Sequence, residues 1–237
     1  MKVSILIPCY NEEKTIREIV DLVLKSPIPY EKEIVIVDDF SKDGTRDILE
    51  QEIKPKVSKI LYHDKNKGKG AAIQTGITHV TGDVLIIQDA DLEYDPDEYV
   101  TLLEPIEKGY ADVVYGSRFL TREMRRIHYF WHTLANFLIT QFFNTMANTN
   151  FTDVETCYKV FTKKIYSQIT LKENRFAFDP EITAKAVKLG AVIYEVSISY
   201  HGRTYDEGKK IGFWDAVSAA RCILKYNLFH RSKKKSA

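Results

Sequence analysis

Two carboxylates one residue apart, Asp89 and Asp91, follow the apolar run Val84-Leu85-Ile86-Ile87 in the stretch Gln88-Asp89-Ala90-Asp91-Leu92-Glu93. Side chains at i and i+2 of an extended chain point to the same side, so the two aspartates converge where the strand ends. Close carboxylates repel unless a cation lies between them. Mg²⁺ and Mn²⁺ take oxygen ligands of this kind and commonly bridge carboxylates to phosphates. A bare Asp-x-Asp also serves as a solvated acidic turn. The strand in front of it and the motifs elsewhere in the chain favour the metal–phosphate reading.

Asp38-Asp39 ends a second apolar run, a position from which a short acidic side chain reaches a ribose or a base; a turn or helix-capping carboxylate is the alternative. Asn66-Lys67-Gly68-Lys69-Gly70 sets amides and cations, Lys69 among them, ahead of a helix, where an anion is favoured. Its spacing fits neither a P-loop nor a dinucleotide fingerprint. Gly116-Ser117-Arg118 offers an arginine suited to bidentate phosphate contacts. Asp153-Val154-Glu155-Thr156 holds two carboxylates, one of which can act as a general base or orient an acceptor; a helix cap is the plain alternative. His201-Gly202-Arg203-Thr204 leads to Glu207-Gly208-Lys209-Lys210, a loop of three cations that also suits phosphate. His128 and His132 are four apart, but no His-Glu-x-x-His pattern frames them, and no histidine pair has convincing zinc spacing.

These residues need strand ends to hold them. Apolar runs at 3–8, 34–37, 59–62, 84–88 and 111–115 read as strands; helical periodicity covers 12–25, with Ile16, Ile19, Val20, Val23 and Leu24 on one face, as well as 70–80 and 96–108. Buried strands alternating with helices imply an α/β fold with a mostly parallel sheet covered on both faces, which binds ligands at the carboxyl ends of its strands. Asn11 with Glu12, Asp38 with Asp39, Asp89 with Asp91, and Arg118 all fall at such ends. In the second half, helices are expected at 127–147, 180–189 and 212–229, and a strand at 191–200. The segment 127–147 is broadly apolar, with a polar stripe at His128, His132, Asn136, Thr140 and Asn144.

The 237 residues suffice for a substantial core, and 44% are hydrophobic and 28% charged. A net charge of +1 gives no global field for nucleic acid, although Arg231-Ser232-Lys233-Lys234-Lys235 is a local basic run. Three scattered cysteines fit a reducing cytoplasm. No leader is expected ahead of the strand at residue 3, and no run of 18 apolar residues predicts a spanning helix.

Together these residues resemble the family-two glycosyltransferases of the GT-A fold, a Rossmann-like architecture. The resemblance rests on Val3-Ser4-Ile5-Leu6-Ile7-Pro8-Cys9-Tyr10-Asn11-Glu12-Glu13, Asp38-Asp39, the 66–70 loop and Gln88 to Glu93. Gly116-Ser117-Arg118, residues 153–158, Phe178-Asp179-Pro180-Glu181 and residues 202–210 resemble the polyprenyl-phosphate sugar synthases, which use glucose or mannose. The resemblance implies that Asp89, Asp91 and Glu93 hold Mg²⁺ or Mn²⁺. It implies a donor site of Pro8, Tyr10, Asn11, Glu12, Asp38, Asp39, Lys69, Gln88, Asp89, Ala90 and Asp91. Arg118, Arg126 and Arg203 match positions that hold donor or lipid phosphates, Lys209 and Lys210 lie close by, and Asp153 matches a carboxylate near the acceptor. Glutamine often stands at the position of Glu93 in mannose synthases, and glycine at that of Cys157.

The expected activity is inverting transfer of a hexose from a nucleotide-sugar, UDP-glucose or GDP-mannose, to a polyprenyl or dolichyl phosphate. Asp89, Asp91, Asp153 and Arg118 are the expected catalytic set. Residues 1–211 form the expected catalytic domain, and 212–237 an amphipathic helix and basic tail. The segments 127–147 and 212–229 are expected to lie in a membrane surface, placing the protein peripherally on the cytoplasmic face. A soluble glycan or protein acceptor, a nucleotidyltransferase and a non-catalytic nucleotide-sugar-binding protein are the alternatives; the oligomeric state stays open.

Overall fold

The first apolar run forms β1 (Lys2–Cys9), buried without interruption from residue 3 to residue 9. Continuous burial means that both faces of this strand are covered. The computed structural model describes residues 1–120, 129–202 and 213–229. Six further strands join β1: β2 (Glu31–Asp38), β3 (Lys59–Tyr62), β4 (Val84–Ile87), β5 (Val113–Ser117), β6 (Lys159–Thr162) and β7 (Ile193–Ser197). They make one sheet in the order β3-β2-β1-β4-β6-β5-β7. Every pairing is parallel except those of β6 with β4 and β5.

The chain winds outward from β1 to β3, then returns to place β4 on the other side of β1. Such a reversal opens a crevice beyond the strand ends. Asp38, Asp89, Asp91 and Arg118 all lie at that edge, and because β6 is antiparallel, the loop before it ends there too.

The helices follow the apolar periodicity. In α1 (Ile16–Lys25) the buried residues are Ile16, Ile19, Val20 and Val23; Leu24, expected on that face, is exposed. The helix starts four residues later than its periodicity suggests, since Glu12 to Thr15 form a turn in which Thr15 Oγ1 donates to Glu12 Oε2 at 2.9 Å. After the short α2 (Thr45–Ile48), α3 (Lys69–Ile77) packs on β1 and β2. It comes so close that a Cβ on Gly76 would stand 2.1 Å from Leu6 Cδ1. The second half adds α4 (Tyr99–Glu107), α5 (Phe130–Ala147), α6 (Lys163–Tyr166), α7 (Phe178–Lys188) and α8 (Phe213–Leu224), and α8 packs on α5 and α7.

Strand β6 has no counterpart among the expected elements. It is four residues long, and its first residue, Lys159, looks like a surface residue but is fully buried. The polar stripe expected at 128–144 turns inward where it is described: His132 and Asn136 are half-buried, Thr140 and Asn144 buried, and His128 lies outside the described residues. Phe130, Trp131, Phe137 and Leu138, by contrast, are more than half exposed. Thr140 Oγ1 accepts from the Val154 amide, and Asn144 bonds the backbone N–H and C=O of Phe151. The stripe thus satisfies the polar backbone of the 151–154 loop. Among the described residues, no helix is long and apolar enough to cross a membrane.

Glu33 ties the amino end of the sheet together. Its carboxylate accepts from Ser4 Oγ at 2.5 Å and from the Thr81 amide and hydroxyl at 2.7 and 2.6 Å, and Lys2 Nζ lies 3.0 Å away. Burial opposes ionisation, but these hydrogen bonds outweigh it and hold the carboxyl down at about 2. A depressed carboxyl contributes stability above the ordinary glutamate range, and that contribution is lost as pH falls toward 2. Glu33→Gln should therefore cost on the order of 2 kcal/mol at neutral pH, and less in acid. Urea unfolding at neutral and acid pH checks this; a deficit that does not shrink in acid contradicts it.

Candidate active site

Three ion pairs line the carboxyl edge of the sheet. Lys69, the first residue of α3, places Nζ 2.5 Å from Asp89 Oδ1 and 3.5 Å from Cys157 Sγ. Burial pulls against the Lys69 charge, but Asp89, with Cys157 and Asp179, holds the ammonium well above its ordinary pKa. At the end of β5, Arg118 grips Asp153 with two side-chain bonds, Nε to Oδ2 at 2.6 Å and Nη2 to Oδ1 at 2.8 Å. The Arg118 amide adds a third contact at 3.2 Å, and Asn136 of α5 bonds both partners. Burial again opposes the charge and Asp153 overcomes it, so the guanidinium stays protonated. The third pair is Lys159 with Asp179; Lys159 also donates to Thr156 O and lies 5.3 Å from the Tyr115 ring centroid.

The loop carrying Lys69 is fixed from below. Asp39 accepts from the amides of Lys67 at 2.8 Å and Gly68 at 2.6 Å, and its Oδ1 meets His63 Nδ1 at 2.7 Å. Gly68 has φ +98°, and a Cβ there would stand 2.3 Å from Asn174 O. Both the backbone conformation and the space call for glycine. Asp38 is fully buried; it bonds Arg46 Nε at 2.6 Å and the Ser41 amide.

The other expected site residues fall at the same edge in different roles. Pro8 lies near the end of β1, and Tyr10 follows the strand. Asn11 adopts φ 54° and accepts from the Lys42 amide, while the Glu12 amide donates to Thr45 Oγ1. Both residues hold the loop after β2. Gln88 is fully buried: its Oε1 accepts from Tyr99 and Tyr158 and its Nε2 donates to Asp89 O, so its amide sits beneath the loop that carries the aspartates. Ala90 is buried between Asp89 and Asp91. The Glu93 amide donates to Asp91 Oδ1 at 3.1 Å, and Glu93 Oε2 accepts from Tyr200 at 2.8 Å. Among the described residues, no three or more His, Cys, Asp or Glu side chains cluster as a ready metal cage. Arg126, Arg203, Lys209 and Lys210 lie outside the described residues.

Several participants had no distinct signal in the sequence. Lys159 was hidden inside an apolar strand, and Glu195, which accepts from the amides of Thr152 and Asp153, in an alternating one. Asn136 was visible only as part of a stripe. Tyr200 lies with its ring centroid 5.1 Å from Arg118 Cζ.

The model of the glycosyl transferase family 2 domain matches residues 4–170, well over half of the chain. The chain belongs to glycosyl transferase family 2. This glycosyltransferase is 30% identical to a dolichyl-phosphate beta-glucosyltransferase of Trichomonas vaginalis, over 96% of this chain and 73% of that protein. It is 34% identical to a dolichol-phosphate mannosyltransferase of Pyrococcus furiosus, over 51% of this chain and 34% of that protein. In fold it resembles glucosyl-3-phosphoglycerate synthase from Mycobacterium tuberculosis, crystallised with Mn²⁺, UDP and glucosyl-3-phosphoglycerate. The TM-score is 0.73 at 15% identity, over 95% of this chain and 80% of that one. The GT-A architecture expected from the sequence is confirmed.

The Arg118–Asp153 pair allows a direct test. Removing one partner of a buried pair strands a charge, at a cost of about 3–5 kcal/mol, whereas replacing both by apolar groups costs far less. Asp153→Ala should be strongly destabilising, and Arg118→Met with Asp153→Leu should recover most of the loss. Denaturant midpoints of the cycle measure it; additive losses would show that the pair is not a unit.

Proposed function

We propose that this glycosyltransferase moves a hexose from a nucleotide-sugar to a polyprenyl phosphate with inversion. The observation that carries this reading is the pair of partly buried cations, Lys69 and Arg118, held by carboxylates at the crevice edge. They supply positive charge where a diphosphate leaves and an anionic acceptor enters. The similarity to a dolichyl-phosphate beta-glucosyltransferase over 96% of this chain supports the acceptor class and favours glucose over mannose.

Phosphate is already an anion at neutral pH. One of its oxygens attacks the anomeric carbon from the face opposite the nucleoside diphosphate; the new C–O bond forms as the old one breaks. No proton needs removal, so the enzyme's task is alignment and charge screening. The bidentate engagement of Asp153 by Arg118 suits this scheme better than a general base would. Asp153 keeps the guanidinium in place and charged.

A divalent ion fits the donor set. Asp89, Asp91 and Glu93 offer only hard oxygens, and the Lys69 ammonium against Asp89 marks that carboxylate as one that takes a positive partner. When bound there, Mg²⁺ or Mn²⁺ supplies charge that stabilises the departing diphosphate. In this reading the loops that Asp38 and Asp39 anchor would hold the nucleoside, and the Lys69 ammonium would answer a diphosphate oxygen.

The outer face of α5 suits a membrane surface. Tyr129, Phe130, Trp131, Phe137 and Leu138 are exposed, as are Val217, Leu224 and Leu228 on and just after α8. An apolar face of this kind lies in the headgroup boundary and brings the site to its lipid. The basic run at 231–235, outside the described residues, would add attraction to anionic lipid. Peripheral attachment follows from this reading, and we propose the cytoplasmic face for it.

Asp89→Ala and Asp91→Ala should each lower transfer from UDP-glucose to a polyprenyl phosphate by on the order of a hundredfold or more. Full turnover in excess chelator, or near-normal turnover in either variant, would refute the metal site. A radiolabelled product that partitions into water rather than solvent would move the acceptor to a soluble class.

Trp131→Asp together with Phe137→Asp should weaken sedimentation with anionic vesicles by roughly tenfold or more, since each ring loses about 1.5–3 kcal/mol of burial. Nucleotide binding should be unchanged. Equal sedimentation of variant and parent would remove α5 from the interface.

A further inference from the structure

Each of three cations at the crevice edge, Lys159 buried and Lys69 and Arg118 partly so, has its carboxylate: Lys69 has Asp89, Arg118 has Asp153 and Lys159 has Asp179. A fourth carboxylate, Glu155, stands among them. It is flanked by Asp153 two residues before it and Cys157 two residues after it, and these belong to the Arg118 and Lys69 clusters. Its Oε1 is buried and has no hydrogen-bond partner. A buried oxygen left without a partner costs about 1–3 kcal/mol, and such atoms are rare enough to need a reason.

The segment that carries Glu155 is held on both sides. Thr156 Oγ1 donates to Gly116 O at 2.5 Å, the Cys157 amide donates to Tyr94 Oη at 3.1 Å, and Asp153 is locked to Arg118. Glu155 therefore cannot relax away by moving its backbone. As a residue it remains partly exposed, although Oε1 itself is covered. The charged groups that act on it are Asp179, Lys159, Arg118 and Asp153. Two are negative and two positive, and both positive ones are already paired.

Burial, then the field of Asp179, pushes the Glu155 carboxyl up to about 8. At neutral pH it is mostly a neutral acid, with one O–H to donate and lone pairs to accept. An anion would use only its O–H, and a cation would prefer the neighbouring carboxylates. A sugar hydroxyl, which also donates and accepts, is its match.

We propose that Glu155 is a specificity-determining residue whose carboxyl hydrogen-bonds a hydroxyl of the donor's hexose. This rests on the transferase reading above. A polar site that pairs with a substrate hydroxyl discriminates against sugars that place it elsewhere, because its own group is then left unpaired. The carboxyl takes no part in bond making; it selects and orients the ring.

The test compares the full chain with Glu155→Gln and Glu155→Leu, using UDP-glucose, its epimer UDP-galactose, and UDP alone. Glu155→Leu should lower kcat/KM for UDP-glucose by about tenfold to a hundredfold and narrow the preference over UDP-galactose, with UDP affinity unchanged. Glu155→Gln, which keeps a donor and an acceptor, should stay within about threefold of the parent. The parent should lose kcat/KM as the carboxyl ionises from about pH 7 to about pH 9, and Glu155→Gln should not share that loss. The Gln profile decides the matter even if the Leu variant folds poorly. A parent that transfers from no nucleotide-sugar overturns the transferase reading, and the proposal with it. A working parent whose Leu variant keeps its kcat/KM and preference, or loses UDP affinity to the same extent, overturns the role of Glu155 alone. So does a working parent whose Gln variant shows the same pH profile.

Discussion

Charge taken out of water must be answered by opposite charge close at hand, and the carboxyl edge of this sheet is arranged around that requirement. Arg118 and Asp153 meet it through two side-chain bonds, with Asn136 bridging both. Asn136 brings in α5, and Glu195 of β7 fixes the Asp153 amide. One ion pair thus couples the end of β5, the 151–157 loop, α5 and β7. The inward polar stripe on α5 follows from the same need, since the loop that carries Asp153 has backbone groups to satisfy. With these polar residues drawn inward, α5 leaves Phe130, Trp131 and Phe137 outside, while Phe143 joins the core.

The parallel half of the fold was legible because it obeys simple periodicities. β1, β2 and β4 are apolar runs that end in polar residues, and α1 repeats its buried residues every three or four positions. The aspartates at 38, 39, 89 and 91 fall where those runs stop. Local rules failed where tertiary context took over. β6 is too short for a periodic signal, and Lys159 is a charged residue inside the core whose carboxylate, Asp179, lies 20 residues further on. The stripe on α5 was visible, but its direction depends on a loop that follows the helix in sequence.

The candidate site divides in the same way. Strand-end carboxylates can be read from spacing. Their partners cannot: Lys69 with Asp89, and Asp39 beneath the Gly68 amide, are contacts between distant segments. Gln88 shows the difference most clearly. It belongs to the same motif as Asp89, yet its amide faces two tyrosines in the interior.

The antiparallel β6 also has a consequence for the order of assembly. It lies between β4 and β5, which are complete 42 residues or more before it in the chain. During synthesis those two strands therefore emerge without their common neighbour, and each presents a row of unpaired backbone groups. The half-sheet β3-β2-β1-β4 has all four of its strands by residue 87, whereas the edge with Arg118, Asp153 and Lys159 closes only when residues 159–162 slot in. Pairing of that kind is long-range and slow, and it leaves the nascent chain exposed to association through its open edges. The strands that end in Asp38 and Asp89 are thus paired early, and the edge with Arg118 and Asp153 late.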